Sequence, residues 1–390
     1  MKHRTAATTL LLAAALLAAA APANAQSVPP PGTLTRHAPS WTADTFPDGN
    51  ANILEAVRSG GSTWAVGIRT TGQGRGTTAA PIVLTRDGAD RAWHELALPK
   101  GLGASSVSPD DSGGTWVTDR GPGRSTPVGH YRGGHWQVQD APLNEHATGG
   151  GISGIAATGR PDDTWAVGYY QPDDFLTFYG VIDHWDGTSW QSVPTPALDT
   201  DYWTLSAVVA NGPSDVWASG TIGTPEGWPR PLLLHYDGRT WSKAAAPDLD
   251  SRYGDLTHLV ATGPNDIWAA GFRNNASHDD RPLLAHYDGR TWTYQETGIA
   301  AGRLNGLTRT PDGVAVVGSV NTDGVTRPTG ARLTRHGWEP LDIPQGTAPA
   351  GRFPRSVVAV GDRLSVIGLD LPGEAADGSP LPPTPFSVTR

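Results

Sequence analysis

The chain has 390 residues, with 29 basic against 38 acidic side chains and no cysteine. Disulfides, thiolate metal sites and cysteine nucleophiles are therefore excluded, and the acidic balance argues against nucleic acid or anionic membrane as partners. With 49 Gly, 34 Pro and 15 Trp against a single Met, the composition favours many short strands joined by tight turns over helices.

In chain order, the first element is a leader. Lys2, His3 and Arg4 precede an uncharged apolar run, Leu10 to Ala20, and Ala23-Asn24-Ala25 forms a small-x-small cleavage site. This is a secretory signal peptide over residues 1–25, cut after Ala25, and its apolar run is too short to span a bilayer. Cleavage removes Lys2 and Arg4 and no acid, so 27 basic face 38 acidic side chains, a net charge of −11. The expectation is a soluble, secreted monomer with no stable membrane insertion. Export without disulfides fits a bacterial source. Residues 26–33 form a Pro-rich lead.

From residue 34 to 390 the chain repeats itself. Trp64-Ala65-Val66-Gly67 returns as Trp116-Val117, Trp165-Ala166-Val167-Gly168, Trp217-Ala218-Ser219-Gly220 and Trp268-Ala269-Ala270-Gly271. Two copies without Trp follow, Ala315-Val316-Val317-Gly318 and Ser365-Val366-Ile367-Gly368. The steps between equivalent positions are 52, 49, 52, 51, 47 and 50 residues. A second motif alternates with the first: His184-Trp185-Asp186-Gly187-Thr188-Ser189-Trp190, His235 to Trp241 and His286 to Trp292, with looser copies ending at Trp41, Trp93, Trp136 and Trp338.

Each unit divides into four strands. In the fourth these are 205–210, 216–220, 232–236 and 240–244, with turn chemistry at 212–215 and a hairpin at Asp237-Gly238. Four short antiparallel strands per unit predict an all-β, seven-bladed β-propeller. The chain opens on a half unit at Leu34 to Trp41 and closes on a half unit around Ser365. The two halves predict a ring whose last blade is shared between the ends. The segment 385–389 offers a further strand, so the sharing is two-and-two or three-and-one. The repeated Trp side chains are assigned to packing between blades, and His184, His235 and His286 to hydrogen bonding within a blade.

These units resemble the Trp-Ala-Val-Gly / His-Tyr-Asp-Gly-x-x-Trp propeller repeats of secreted actinobacterial proteins, and more distantly kelch-type and galactose-oxidase-type propellers. The resemblance covers residues 34–390 and implies architecture, not activity. The Tyr–Cys copper site of galactose oxidase cannot be carried over to a chain without Cys.

Function is expected where the units differ. The connections between second and third strands vary most, and they share a face with the blade-to-blade connections. Blades three to five are richest there. Tyr169, Tyr170, Asp173, Asp174, Phe175, Phe178 and Tyr179 come from one loop. Tyr202, Trp203, Trp228, Arg230, Arg252, Tyr253, Arg273, Asp279 and Asp280 come from others. Aromatic rings beside acids and Arg suit a glycan or peptide: rings stack, carboxylates accept hydroxyl hydrogen bonds, and Arg forks grip acidic groups.

The expectation is thus a non-enzymatic binding scaffold without cofactor, catalytic set or metal site. A secreted polysaccharide hydrolase or lyase, using carboxylates such as Asp199, Asp201, Asp279 and Asp280, is the alternative from another class. A Ca²⁺ site at Asp173-Asp174 or Asp279-Asp280 is a weaker one.

Overall fold

Tyr236 and Trp241 close a hairpin around Asp237-Gly238 for a local reason. The Asp237 carboxylate accepts the backbone N–H groups of Arg239 and Thr240, each at 2.9 Å, and Gly238 takes φ 91° without a Cβ to clash. Asp186-Gly187 and Asp288-Gly289 repeat the device. The protein is described by a computed structural model over residues 40–71, 78–88, 90–110, 112–160, 162–172, 176–251, 253–274, 279–375, 378–379 and 381–390. The leader, the Pro-rich lead and the strand expected at 34–37 lie outside the described residues.

Among these residues there are seven antiparallel sheets and no helix. The fourth blade runs Trp203–Gly212, Asp215–Ile222, Arg230–Tyr236 and Trp241–Lys243, from the inside outwards. The innermost strands of the seven blades are Ala51–Ser59, Ser106–Pro109, Gly149–Arg160, Trp203–Gly212, Tyr253–Gly263, Arg303–Thr310 and Arg352–Val360. Each packs against the next, and the last packs against the first, so the blades form a closed ring. This is the seven-bladed β-propeller expected from the repeats.

The Trp repeats bind blade to blade. The second-strand Trp of one blade meets the outer-strand Trp of the next edge-to-face: Trp116 with Trp190 at 5.6 Å, Trp165 with Trp241 at 5.3 Å, Trp217 with Trp292 at 5.5 Å and Trp268 with Trp338 at 6.0 Å. Such a pair adds about 1 kcal/mol beyond its area burial. Trp64 packs on Tyr131 and Trp136 of the second blade, and Trp93 is buried against Phe46. The repeat histidines lie over the same rings. His130, His184, His235 and His286 each donate from Nε2 to Asp110, Asp163, Asp215 and Asp266 at 2.7–2.8 Å. Trp217 and Trp268 donate their indole N–H to two of the same carboxylates.

The Gly ending each Trp motif has a structural cause. In six blades the innermost strand carries a one-residue bulge, at Leu54, Ser153, Ser206, Thr257, Asn305 and Arg355. Just before each bulge the inner-strand carbonyl presses on the second strand. A Cβ on Gly168 would stand 2.0 Å from the Gly151 oxygen, and one on Gly220 would stand 2.0 Å from that of Thr204. Blade two has Asp119 in place of this Gly, and its inner strand pairs without a bulge.

The closing blade is split three-and-one. Its strands are Arg352–Val360, Arg363–Asp370 and Thr384–Thr389 from the C-terminal end and Thr42–Ala43 from the N-terminal end, with Thr42 opposite Thr389 and Ala43 opposite Val388. Of the two sharings that the sequence leaves open, this is the three-and-one, with the segment 385–389 supplying the third strand. Phe386 and Val388 are buried and fill the interior positions that this strand must supply. Trp41, half-buried, packs on the same cluster with the Arg390 guanidinium 5.7 Å from its ring.

One strand was not foreseen. Arg120–Pro122 leaves blade two and pairs with Gly149–Gly151, on the inner side of blade three's innermost strand. The three glycines permit it. A Cβ on Gly151 would lie 2.4 Å from the Asp119 oxygen, and Gly150 takes φ 151°.

Candidate functional site

The inner strands begin, and the second strands end, on the face that carries the long connections. Alternation along these strands decides which side chains surface there. Trp203 is in phase with buried Leu205, and only 4% of it is exposed. Its ring is sealed against Gly180, where a Cβ would lie 2.0 Å away. Trp203 supports the face from beneath. Its neighbour Tyr202 points the other way and is half-buried at the surface.

Tyr202 belongs to a set of rings on blades three to five, flanked by Arg120 and by Arg303 of blade six. Arg120 lies 5.8 Å over Tyr169, Tyr169 is 5.9 Å from Phe178, and Phe178 meets Tyr202 edge-on at 5.5 Å. On the next blade Tyr253 packs on Phe272 at 5.3 Å, and the Arg303 guanidinium caps Phe272 at 3.9 Å. A cation over a ring face is favourable because the ring quadrupole is negative there. Asp255 sits between the two halves. Burial pushes its carboxyl up, while it accepts a hydrogen bond from Thr221 Oγ1 at 2.6 Å. Burial, and then the Asp255 charge, pushes the Tyr253 hydroxyl up to about 12 and raises that of Tyr202. Both hydroxyls therefore remain hydrogen-bond donors across the ordinary pH range.

The other expected residues fall into several environments. Tyr170 stacks on Tyr179 at 5.4 Å, on the blade-two side, away from the row. Arg230 donates to the Leu249 carbonyl at 2.9 Å, Arg273 pairs with Asp250, and Arg281 donates to the Ala300 carbonyl. These three guanidinium groups brace the connection to the following blade, and Arg230 and Arg273 also line surface cavities there. Asp280 pairs with Arg303, with Oδ1 3.1 Å from Nη2, and Asp279 and Asp280 line a 380 Å³ cavity with Arg303, Asn321 and Phe353. The Trp228 carbonyl accepts from Thr224 Oγ1 at 3.0 Å. Asp173, Asp174 and Arg252 lie outside the described residues. Among the described residues, no three His, Asp or Glu side chains come together as a metal site.

The axis of the ring holds a further cavity of about 460 Å³, lined by inner-strand residues including Glu55, Ser153, Ser206, His258 and Ser356. His258 is hydrogen-bonded to Thr257 Oγ1 at 2.8 Å, and burial lowers its imidazole to about 4. Glu55 Oε2 accepts from Ser106 Oγ at 2.6 Å and the Val107 N–H at 3.0 Å, tying blade one to blade two, and burial raises its carboxyl.

Sequence reasoning did not single out Arg120, Asp255, Phe272 or Arg303. One signal was present: Asp255 and Arg303 stand immediately before the buried Leu256 and Leu304, the phase of Thr204 before Leu205.

Fold and face together define a seven-bladed propeller closed by strands from both ends of the chain. The sequence matches no protein-family model and no curated protein. Solved structures share the fold at low identity. YCF48 bound to D1 peptide is 15% identical at a TM-score of 0.50, over 90% of this chain and 94% of that one. The β-propeller domain of the Trilobed protease from Pyrococcus furiosus is 9% identical at 0.51, over 87% and 93%, and is described as having an open velcro topology. Pyrococcus horikoshii acylaminoacyl peptidase is 10% identical at 0.53, and this chain, matched over 87% of its length, spans only 52% of the peptidase.

Proposed function

We propose that the protein is an exported, non-catalytic recognition module that binds an extended peptide along the row of rings on its loop face. The observation that carries this reading is the row itself: Tyr169, Phe178, Tyr202, Tyr253 and Phe272 stand in sequence with Arg120 at one end and Arg303 at the other. Half-buried rings on rigid strands offer contact area at little entropic cost, and the Tyr hydroxyls offer hydrogen bonds to a peptide backbone. A propeller of the same fold, YCF48, is known bound to a peptide, which supports a peptide over a glycan. The leader at residues 1–25 supports export.

The test is fluorescence anisotropy with a pool of fluorescein-labelled random decapeptides, beside a glycan array. Selective retention of peptides is expected, with about a tenfold or greater loss in Tyr169→Ala, Tyr202→Ala or Phe272→Ala. Retention of glycans alone, or equal peptide binding by the three variants, overturns the reading.

A further inference from the structure

Asp255 is half-buried among aromatic and hydroxyl groups of blades four and five. It stands directly opposite Phe272 on the neighbouring strand, a pairing that sets Cβ atoms about 5 Å apart. Tyr253, two residues earlier, shares its face of the strand. From blade four, Thr221 Oγ1 donates to Asp255 Oδ1 at 2.6 Å. Thr221 pairs with Thr204, which lies two residues beyond Tyr202, so blade four brings Tyr202 to the other side of the carboxylate. Both Tyr hydroxyls feel the Asp255 charge, and Tyr253 also feels Tyr202.

The fold does not cancel the charge of this carboxylate. Its hydrogen bonds come from the Thr221 hydroxyl and the Leu256 N–H, both neutral donors. Among the described residues, the cation acting on it is Arg303, which is paired with Asp280 through Nε and Nη2. Asp255, Asp280 and Arg303 together therefore hold one negative charge in excess. In five other blades the equivalent position holds Asn52, Gly151, Thr204, Arg303 or Phe353, so the repeat itself does not call for a carboxylate. A desolvated carboxylate without a counter-ion is costly, and burial raises its carboxyl accordingly. An ammonium group offsets that cost with a compact charge and three donors. Neighbouring ring faces attract the same charge, because the ring quadrupole is negative there. Arg303 already caps Phe272 at 3.9 Å, so the rings left for an incoming cation are those of Tyr202 and Tyr253.

We propose that Asp255, Tyr202 and Tyr253 form a recess that holds a primary ammonium group of the bound peptide, with Asp255 as its counter-ion. The inference rests on the peptide reading above and adds to it the chemical group that is recognised. A lysine side chain and a free amino terminus both present this group, and the experiment separates the two sources.

The experiment compares three decapeptide pools, labelled at the C-terminus and otherwise free of lysine, by fluorescence anisotropy. The first is N-acetylated with a central norleucine, which keeps the methylenes of lysine without the charge. The second is N-acetylated with a central lysine. The third is the norleucine pool with a free amino terminus. At least one ammonium-bearing pool is expected to bind wild-type protein about tenfold more tightly than the neutral pool. Tighter binding of the second pool assigns the group to a lysine side chain, and of the third to the amino terminus. Equal binding of all three overturns the ammonium site and leaves the peptide reading standing. Asp255→Asn keeps the shape and an acceptor for Thr221, and is expected to bring the ratio to about one. A ratio that persists in this variant overturns the site. Because Asp255→Asn removes a desolvated charge, its Tm is expected to equal or exceed that of wild type, and a clear fall assigns Asp255 to joining blades four and five and overturns the site. Tyr202→Leu and Tyr253→Leu are each expected to lower the ratio about threefold, and an unchanged ratio in both overturns the part given to the rings. If no pool binds, the peptide reading fails, and the site is judged on n-pentylammonium by saturation-transfer NMR. Saturable transfer in wild type that is lost in Asp255→Asn supports it; no transfer in wild type, or transfer that persists in the variant, overturns it.

Discussion

Arg86 on blade one is paired with Asp44, next to the single N-terminal strand of the closing blade, and both side chains are almost fully buried. The same guanidinium reaches Thr389 Oγ1 at 3.1 Å and Ser365 Oγ at 2.8 Å, and Asp44 also accepts from Ser387 Oγ at 2.6 Å and Thr389 Oγ1 at 3.0 Å. Ser365 stands where five of the other blades place a Trp. At this junction a buried ion pair, with Arg86 lying 5.2 Å from the Trp93 ring, replaces the Trp–Trp contact and fastens both ends of the chain to blade one. Asp44→Ala strands the Arg86 charge and is expected to cost about 3–5 kcal/mol in urea unfolding. Adding Arg86→Met should restore part of that loss. A loss below 1 kcal/mol for Asp44→Ala, on the scale of an exposed pair, contradicts a locked closing blade.

The Gly of each Trp motif answers to the bulge opposite. Gly220→Ala forces a Cβ onto the Thr204 carbonyl and is expected to cost about 3 kcal/mol. Gly49→Ala, with nothing within 4 Å of its new Cβ, should change stability by less than about 0.5 kcal/mol. Thermal unfolding of the two variants side by side decides it, and equal effects contradict the bulge account.

Asp183 occupies the interior position held by Leu84 in blade one and Leu234 in blade four. Its Oδ2 is buried without a partner, and burial pushes the carboxyl from 3.8 up to about 7. The folded chain thus holds this proton more tightly than the unfolded chain. The protonated carboxyl is tolerated at low pH, and stability falls as pH rises from 3.8 through about 7. The full penalty is roughly 4 kcal/mol above that window. Asp183→Leu should raise stability at pH 8 and flatten this part of the profile, measured by urea unfolding from pH 4 to pH 8. An unchanged slope in the variant rules out Asp183 as its source.

His235 and His286 make the same His–Asp–Trp contact on separate blades. Each change to Ala is expected to cost about 1 kcal/mol, and the double variant about the sum. Strong non-additivity in unfolding experiments points instead to coupling through the shared blade interface.

The ring row shows where reading the chain alone falls short. Tyr202 and Trp203 are adjacent and both aromatic, yet one surfaces and one is sealed. The deciding fact is phase: Trp203 lies two residues from Leu205 on a strand, and side chains two apart share a face. That signal was present in the sequence. The meeting of Arg120, Tyr169, Tyr202, Tyr253, Phe272 and Arg303 was not, because these residues come from separate blades that only ring closure brings together.

The repeat period, the turn residues and the alternation of Trp motifs by themselves determined the blade and pointed to seven of them, because hairpins and packed faces are short-range consequences of side-chain size and backbone freedom. Tertiary structure alone decided that the closing blade takes three strands from one end and one from the other, that a fifth strand enters beside Gly149–Gly151, and that Asp44 meets Arg86. Each of these depends on which distant groups compete for the same buried space and the same hydrogen bonds, and that competition exists only once the ring has closed.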